Sequence, residues 1–312
     1  MTKVFIDGSA GTTGLCIYDR LSGRRDIQLL TLDQEHRKDT ERRREMINLS
    51  DITFLCLPDG AAIEAAELCG NENTAIIDAS TAHRTSPGWS YGFPELSDMH
   101  REDIKTSKRV SVPGCHASGF LSIVYPLIKS GILKPDYPVV AHSVTGYSGG
   151  GKKMIAKYED KDRSERLGAP AQYAIDADHK HLKEMQAVCK LEHKPLFNPI
   201  VADFYSGMVV SVPLYTSHIG GIGKKELFVF FDEYYKSEPL IRVVSHDKET
   251  HGDFIYADEL SGKDYMQILI GGNRDRVLIA SRFDNLGKGA SGAAVQCMNI
   301  MLGIDEKTGL VL

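Results

Sequence analysis

The sequence predicts an α/β fold: a Rossmann-like parallel-sheet dinucleotide-binding domain, followed by an α+β catalytic domain with a mixed, largely antiparallel sheet. Three observations carry this. Short apolar strands alternate with helical stretches through the first third of the chain, a glycine-rich turn follows the first strand, and beyond Pro113 longer strand patterns replace the alternation. In order, Val4 to Ile6 reads as the first strand and a helix opens near Thr12. Strands follow at Ile27 to Leu32 and Ile52 to Leu57, then a helix from about Asp59 and a strand at Ala75 to Ile77. Such βαβ alternation builds a parallel sheet covered by helices on both faces, and the right-handed crossover leaves few other arrangements.

After Pro113 a helix is expected over Ala117 to Lys129, with strands at Val139 to Val144, Met208 to Tyr215, Tyr265 to Ile270 and Arg276 to Phe283. Helical patterns around His181 to Lys190 and Lys225 to Lys236 sit among them, which suits a sheet with helices on one face. The expected division is residues 1–114 as the dinucleotide-binding domain and 115–286 as the catalytic and oligomerisation domain. The small-residue helical stretch from Gly287 to Leu302 opens a segment, 287–312, expected to return to the first domain. The basic run Arg42-Arg43-Arg44 reads as a solvated helix face.

A chain of 312 residues holds about two domains at roughly 100 to 200 residues each. Its 37 basic and 42 acidic side chains leave a net charge of -5, which argues against generic nucleic-acid affinity; an anionic substrate needs placed cations instead. No run approaches the ~18 to 20 consecutive apolar residues of a membrane span, and MTKVFIDGS enters a strand pattern without a signal-like apolar segment. The expected location is cytoplasmic, with no membrane partner. Six scattered cysteines without a C-x-x-C indicate neither a disulfide framework nor a zinc site, so an important cysteine is a free thiol and no metal is expected.

The turn after the first strand, Gly8-Ser9-Ala10-Gly11-Thr12-Thr13-Gly14, opens a helix. Glycines let backbone approach a pyrophosphate, whose charge meets N–H groups at the helix N-terminus. Asp33, near the end of the second strand, suits a ribose 2′-hydroxyl, whereas Arg37 and Lys38 suit a 2′-phosphate; the residues alone leave both open. The sharpest local signal is Val112-Pro113-Gly114-Cys115-His116-Ala117-Ser118-Gly119, where a strand turns through Pro-Gly into a helix with Cys115 at its start. A helix N-terminus lowers a thiol pKa and supplies N–H groups to an oxyanion. The other five cysteines read as small core residues.

A nucleophilic thiol needs a proton donor and acceptor, and the segment from Tyr173 to Glu184 offers His179 and His181 beside a predicted helix start, with the choice between them open. The run Gly146 to Lys153 imitates a P-loop but has Lys153 where a magnesium-binding Ser/Thr belongs, and reads as a flexible loop.

Taken together, Ile77-Asp-Ala-Ser-Thr-Ala-His83-Arg84, Tyr91-Gly-Phe-Pro-Glu-Leu96, Val112-Pro-Gly-Cys115, Thr145-Gly-Tyr-Ser-Gly-Gly-Gly151 and Asn285-Leu-Gly-Lys-Gly-Ala-Ser-Gly-Ala-Ala-Val-Gln296 occur in one order along nearly the whole chain. That pattern, with the N-terminal glycine turn, resembles the shorter form of the N-acetyl-gamma-glutamyl-phosphate reductases, within the semialdehyde dehydrogenase superfamily. His116 stands where an aromatic residue is common in the longer form, and Ser118 where threonine is usual. The resemblance implies reduction of an acyl-phosphate substrate by NADPH in arginine biosynthesis, through a thioester, by a homo-oligomer. It implies Cys115 as nucleophile and His179 as acid/base residue, with Tyr173, His181 and Glu184 lining or orienting the substrate site. Arg84 is implied near a substrate anion and Asn285 near the nicotinamide, beside Gly8, Ser9, Gly11, Thr12, Thr13 and Gly14 for the cofactor. Two rivals are a related reductase such as aspartate-semialdehyde dehydrogenase and a non-enzymatic NADPH-binding protein.

Overall fold

A computed structural model describes residues 1–33, 35–245 and 254–312. The chain divides into two units, Met1–Gly114 with Ala290–Leu310, and Cys115–Gly289 with Val311–Leu312.

The first unit holds β1 (Thr2–Asp7), α1 (Thr12–Ser22), β2 (Ile27–Leu30), α2 (Thr40–Leu49), β3 (Ile52–Leu55), α3 (Asp59–Glu67), β4 (Ala75–Asp78), β5 (Ser90–Tyr91), α4 (Asp98–Thr106) and β6 (Arg109–Ser111). Its six strands are ordered β2-β1-β3-β4-β6-β5, and every pairing is parallel. Successive side chains on a strand point to opposite faces, so apolar residues at consecutive positions imply cover on both sides. Val4, Ile6, Ile52, Phe54 and Ile77 pack on one face with Ile17 and Leu21 of α1 and Ile104 of α4, joined by Ala294, Val295 and Met298 from the C-terminal helix Gly292–Met301. Phe5, Leu55 and Ile76 take the other face, under Ile47 of α2 and Ala62 and Ala65 of α3. The parallel, doubly covered sheet expected from the alternation is present.

One surface expectation is corrected here. Arg42 and Arg44 are exposed, but Arg43 is buried, and its Nε donates to Asp7 Oδ2 at 3.0 Å. Asp7 ends β1, and burial raises its pKa against the lowering effect of the Arg43 guanidinium. A carboxylate taken out of water needs a counter-charge, and one residue of the basic run turns inward to supply it.

The second unit holds α5 (Cys115–Lys129), β7 (Val140–Gly146), α6 (Gly151–Glu159), β8 (Ala171–Gln172), α7 (Leu182–Cys189), β9 (Leu196–Ala202), β10 (Met208–Tyr215), α8 (Lys224–Tyr235), β11 (Ile241–Val244), β12 (Met266–Gly272) and β13 (Arg276–Phe283). Its seven strands run β11-β12-β13-β10-β7-β9-β8. Four pairings are antiparallel and two, β11 with β12 and β7 with β9, are parallel, which is the mixed sheet expected. The run after β7 is not a loop: Tyr147–Gly150 forms a 3₁₀ turn and Gly151 opens α6. Buried Ser148 accepts from Asn285 Nδ2 at 2.9 Å, so the glycines bend a held backbone.

Helix α5, whose first residue is Cys115, lies against β10 and β13 because Gly119 allows it. A Cβ at Gly119 would stand 2.4 Å from Val210 Cγ2 and 2.9 Å from Phe283 Cε1. Tyr235 fixes the next turn by donating its hydroxyl to the Ser122 carbonyl at 2.7 Å. Gly119→Ala is expected to destabilise the protein by about 1–3 kcal/mol through overpacking, seen as a lower thermal midpoint. An unchanged midpoint would contradict this packing.

Candidate active site

In the first unit, the turn from Gly8 to Gly11 joins β1 to α1 at the carboxyl edge of the parallel sheet. The strand order reverses there, with β2 on one side of β1 and β3 on the other, and ligands bind open α/β sheets at such a crevice. Gly8 has φ +89°, and a Cβ on it would lie 2.3 Å from the Cys56 carbonyl oxygen at the end of β3. At Gly14 a Cβ would lie 2.4 Å from Gly8 O, so the helix start is folded tightly onto the turn. Gly11 caps α1 with no side-chain hydrogen bond, and the first helical turn carries no acid. These residues fit a pyrophosphate: backbone N–H groups at a helix N-terminus without a side-chain cap, with side chains kept away by glycine. Asp33, Arg37 and Lys38 all lie exposed in the connection from β2 to α2.

Arg84 belongs to the same unit. Asp78, the last residue of β4 and wholly buried, accepts from Ser80 N at 2.8 Å and Ser80 Oγ at 2.7 Å, and meets His83 Nδ1 at 2.6 Å. The His83 ring stacks on Trp89 at 4.0 Å between centroids. This network fixes the turn that carries Arg84, whose Nε donates to Val112 O at 2.9 Å and whose Nη2 donates to Ala79 O at 3.4 Å. Part of the guanidinium is therefore spent on backbone.

In the second unit, Cys115 is half-buried at the N-terminus of α5. One π-helical turn, Gly287–Ser291, passes beside it, and a Cβ on Gly289 would stand 3.0 Å from Cys115 Cβ and 3.0 Å from Asp284 O. Asp284 holds that turn through Oδ1, which accepts from Leu286 N at 2.6 Å and Gly287 N at 3.0 Å. Asn285 is buried, with Oδ1 accepting from Gly207 N at 2.8 Å while Nδ2 donates to Ser148. Both ends of its amide are thus engaged within the second unit, whereas the glycine turn belongs to the first.

Tyr173, His179 and His181 come together around a residue the sequence offered only as a departure from a family pattern, His116. Its ring lies 5.4 Å from that of His179, 5.6 Å from that of His181 and 5.2 Å from that of Phe197. His179 and His181 meet edge to face at 4.7 Å, and His181 N donates to His179 Nδ1 at 3.2 Å. An imidazole whose Nδ1 accepts carries its proton on Nε2 when neutral, so His179 is set as an Nε2 donor. Ala174 and Ala177 have φ +52° and +55°, a left-handed conformation costing on the order of 1–2 kcal/mol per residue and concentrated where a segment must aim side chains. His181 and Glu184 are buried at the start of α7, one helical turn apart. Burial raises the Tyr173 pKa, and the charge of nearby Cys115 adds to the rise.

Of the remaining cysteines, Cys189 and Cys297 are buried as expected, while Cys16, Cys56 and Cys69 keep partial exposure. Among the described residues no cluster suited to a metal ion occurs, and no helix is long and apolar enough to cross a membrane.

Comparison with known proteins bears on the whole chain. A family model described as semialdehyde dehydrogenase, dimerisation domain, matches residues 115–285, and one described as semialdehyde dehydrogenase, NAD binding domain, matches residues 23–107. A protein from a Nostoc species named N-acetyl-gamma-glutamyl-phosphate reductase 2 is 44% identical, covering 99% of this chain and 99% of that protein. The chain belongs to the N-acetyl-gamma-glutamyl-phosphate reductase family of the semialdehyde dehydrogenases. Another relative, the N-acetyl-gamma-glutamyl-phosphate reductase of Brucella ovis, is 42% identical over 96% of this chain and 99% of that one. Solved structures share the reductase fold at lower identity. A probable aspartate-semialdehyde dehydrogenase from Pseudomonas aeruginosa superposes with a TM-score of 0.73 at 16% identity, covering 96% and 98% of the two chains. Aspartate semialdehyde dehydrogenase II from Vibrio cholerae gives 0.70 at 15% identity, covering 97% and 99%. The chain thus carries a nicotinamide-dinucleotide-binding domain of this family.

Proposed function

We propose that the protein reduces N-acetyl-L-glutamyl 5-phosphate to N-acetyl-L-glutamate 5-semialdehyde, with NADPH as reductant and Cys115 as nucleophile, in arginine biosynthesis in the cytoplasm. The observation that carries this reading is Cys115 at the first turn of α5 in a unit that also gathers Tyr173, His179 and His181 around His116, within a chain 44% identical to a named reductase. Residues 1–114 serve as the dinucleotide domain, with segment 287–312 returning to it, and residues 115–286 as the catalytic and oligomerisation domain of a homo-oligomer; the dimerisation-domain family model supports the latter.

A helix N-terminus favours the thiolate of Cys115 and offers N–H groups to the acyl oxygen. The thiolate attacks the acyl carbon; a C–S bond forms, the bond from carbon to the bridging oxygen breaks, and inorganic phosphate leaves with the electron pair. Gly8, Ser9, Gly11, Thr12, Thr13 and Gly14 hold the pyrophosphate, Asn285 borders the nicotinamide, and exposed Arg37 and Lys38 favour a 2′-phosphate over Asp33's claim on a ribose hydroxyl. When bound, the reduced dinucleotide supplies hydride to the acyl carbon. His179, with Nε2 as its donor position, holds a proton at the acyl oxygen as charge develops there, and takes it back when the C–S bond breaks and its electron pair returns to sulfur. Arg84 binds a substrate anion, and Tyr173, His181 and Glu184 line or orient the substrate site.

The reverse reaction tests this in one cuvette. N-acetylglutamate semialdehyde is expected to reduce NADP in the presence of phosphate or arsenate, faster than NAD, and aspartate semialdehyde is expected to be turned over poorly. Preference for aspartate semialdehyde would overturn the substrate assignment, and NADP binding without turnover of either would favour a binding protein.

A further inference from the structure

His116 directly follows Cys115 in the chain and is buried with both ring nitrogens beside hydroxyl groups. Its Nδ1 lies 2.7 Å from the hydroxyl of Ser143, itself fully buried on β7, and its Nε2 lies 2.7 Å from the hydroxyl of Tyr173. Both ring nitrogens are thus committed to hydroxyls, each of which can either donate or accept. Burial lowers the pKa of His116 to about 3, with the charges of His179 and Lys180 adding to the effect, so the ring is neutral at working pH. A neutral imidazole donates from one nitrogen and accepts at the other, and the three groups therefore form a directed chain.

We propose that His116 is a positioning residue: Ser143 donates to Nδ1, Nε2–H donates to the Tyr173 oxygen, and the phenolic proton is left for the oxygen of the acyl group on Cys115. This rests on the reading of Cys115 as the nucleophile and adds to it. The placement is natural for a helix start. Consecutive residues point about 100° apart, so Cys115 can meet substrate while His116 reaches the segment from Tyr173 to His179 that must stay aligned with it. Tyr173 directly follows β8, and its N–H donates to the Pro199 carbonyl within β9 at 3.1 Å. The imidazole ties two otherwise separate elements, α5 and the Tyr173 turn, to the interior of the sheet.

The test is a double-mutant cycle on the full chain. His116→Leu and Tyr173→Phe are each expected to lower kcat by roughly 10- to 100-fold, the range of one hydrogen bond to a charged centre, with the KM for NADPH unchanged within about twofold. The double variant is expected to lose no more than the worse single variant, since both remove the same phenolic donor. His116→Gln, whose longer amide can still reach the phenol, is expected to recover at least about tenfold of the loss, and it covers the case in which leucine prevents folding. Losses that multiply in the double variant, or full activity in Tyr173→Phe, would overturn the proposal. Cys115→Ser measured in parallel separates the two readings. If it is inactive while the losses multiply, only the positioning role fails; if it retains turnover, the nucleophile assignment fails with it.

Discussion

Cys115→Ser is expected to lower kcat by about 10⁴-fold or more while dinucleotide affinity changes by less than about twofold. The size follows from the chemistry. An acyl phosphate can be captured by a thiolate because phosphate is a good leaving group, and the resulting thioester is still reducible; a serine hydroxyl is un-ionised near neutral pH and gives an ester that accepts hydride poorly. Selectivity for turnover over binding follows from the roles assigned: the pyrophosphate is given to the glycine turn, and Cys115 is not among the groups proposed to hold the dinucleotide. Titration of intrinsic fluorescence or equilibrium dialysis with NADPH checks the binding half, and the semialdehyde assay the other. Loss of both together would mark a folding defect or a wrong assignment.

His179→Asn carries the second large effect, a fall in kcat of about 10²- to 10⁴-fold with KM nearly constant. Asparagine is the informative choice. Its side-chain oxygen can take the place of Nδ1 and accept from His181 N, the 3.2 Å bond that sets the ring, so the turn keeps its shape and only the Nε2 donor is removed. His181 is the buried member of that pair, and His181→Asn is expected to raise KM more than it lowers kcat. If His181→Asn alone reproduces the loss in kcat, the acid/base assignment belongs to His181.

How much of this could be seen in the chain itself depended on the range of the interactions. The β1 turn and α1 were legible because strand, glycines and helix start lie within about a dozen residues, and each enforces the next: Gly14 must be small because Gly8 O is there. The same holds for Cys115 at the start of α5. The strand β9 was not legible, because Pro199 interrupts Leu196–Ala202; a proline there suits a position near the edge, with only the short β8 beyond it. The inward turn of Arg43 depends on Asp7, 36 residues away, and a basic run on a helix offers no local sign of it. The His116 network joins partners 27 and 57 residues distant. Sequence showed a histidine out of family pattern beside the thiol, but the two hydroxyls that give it a purpose emerge only when β7 and the Tyr173 turn are brought to α5.

The most direct test of the covalent step omits the reductant. Protein mixed with N-acetylglutamyl phosphate in the absence of dinucleotide is expected to release about one phosphate per active site and to gain one N-acetylglutamyl group, found by intact and peptide mass on Cys115 and absent from Cys115→Ser. Stoichiometric phosphate release with no adduct on Cys115, or the same adduct yield in the serine variant, would contradict the assignment of that sulfur as the nucleophile.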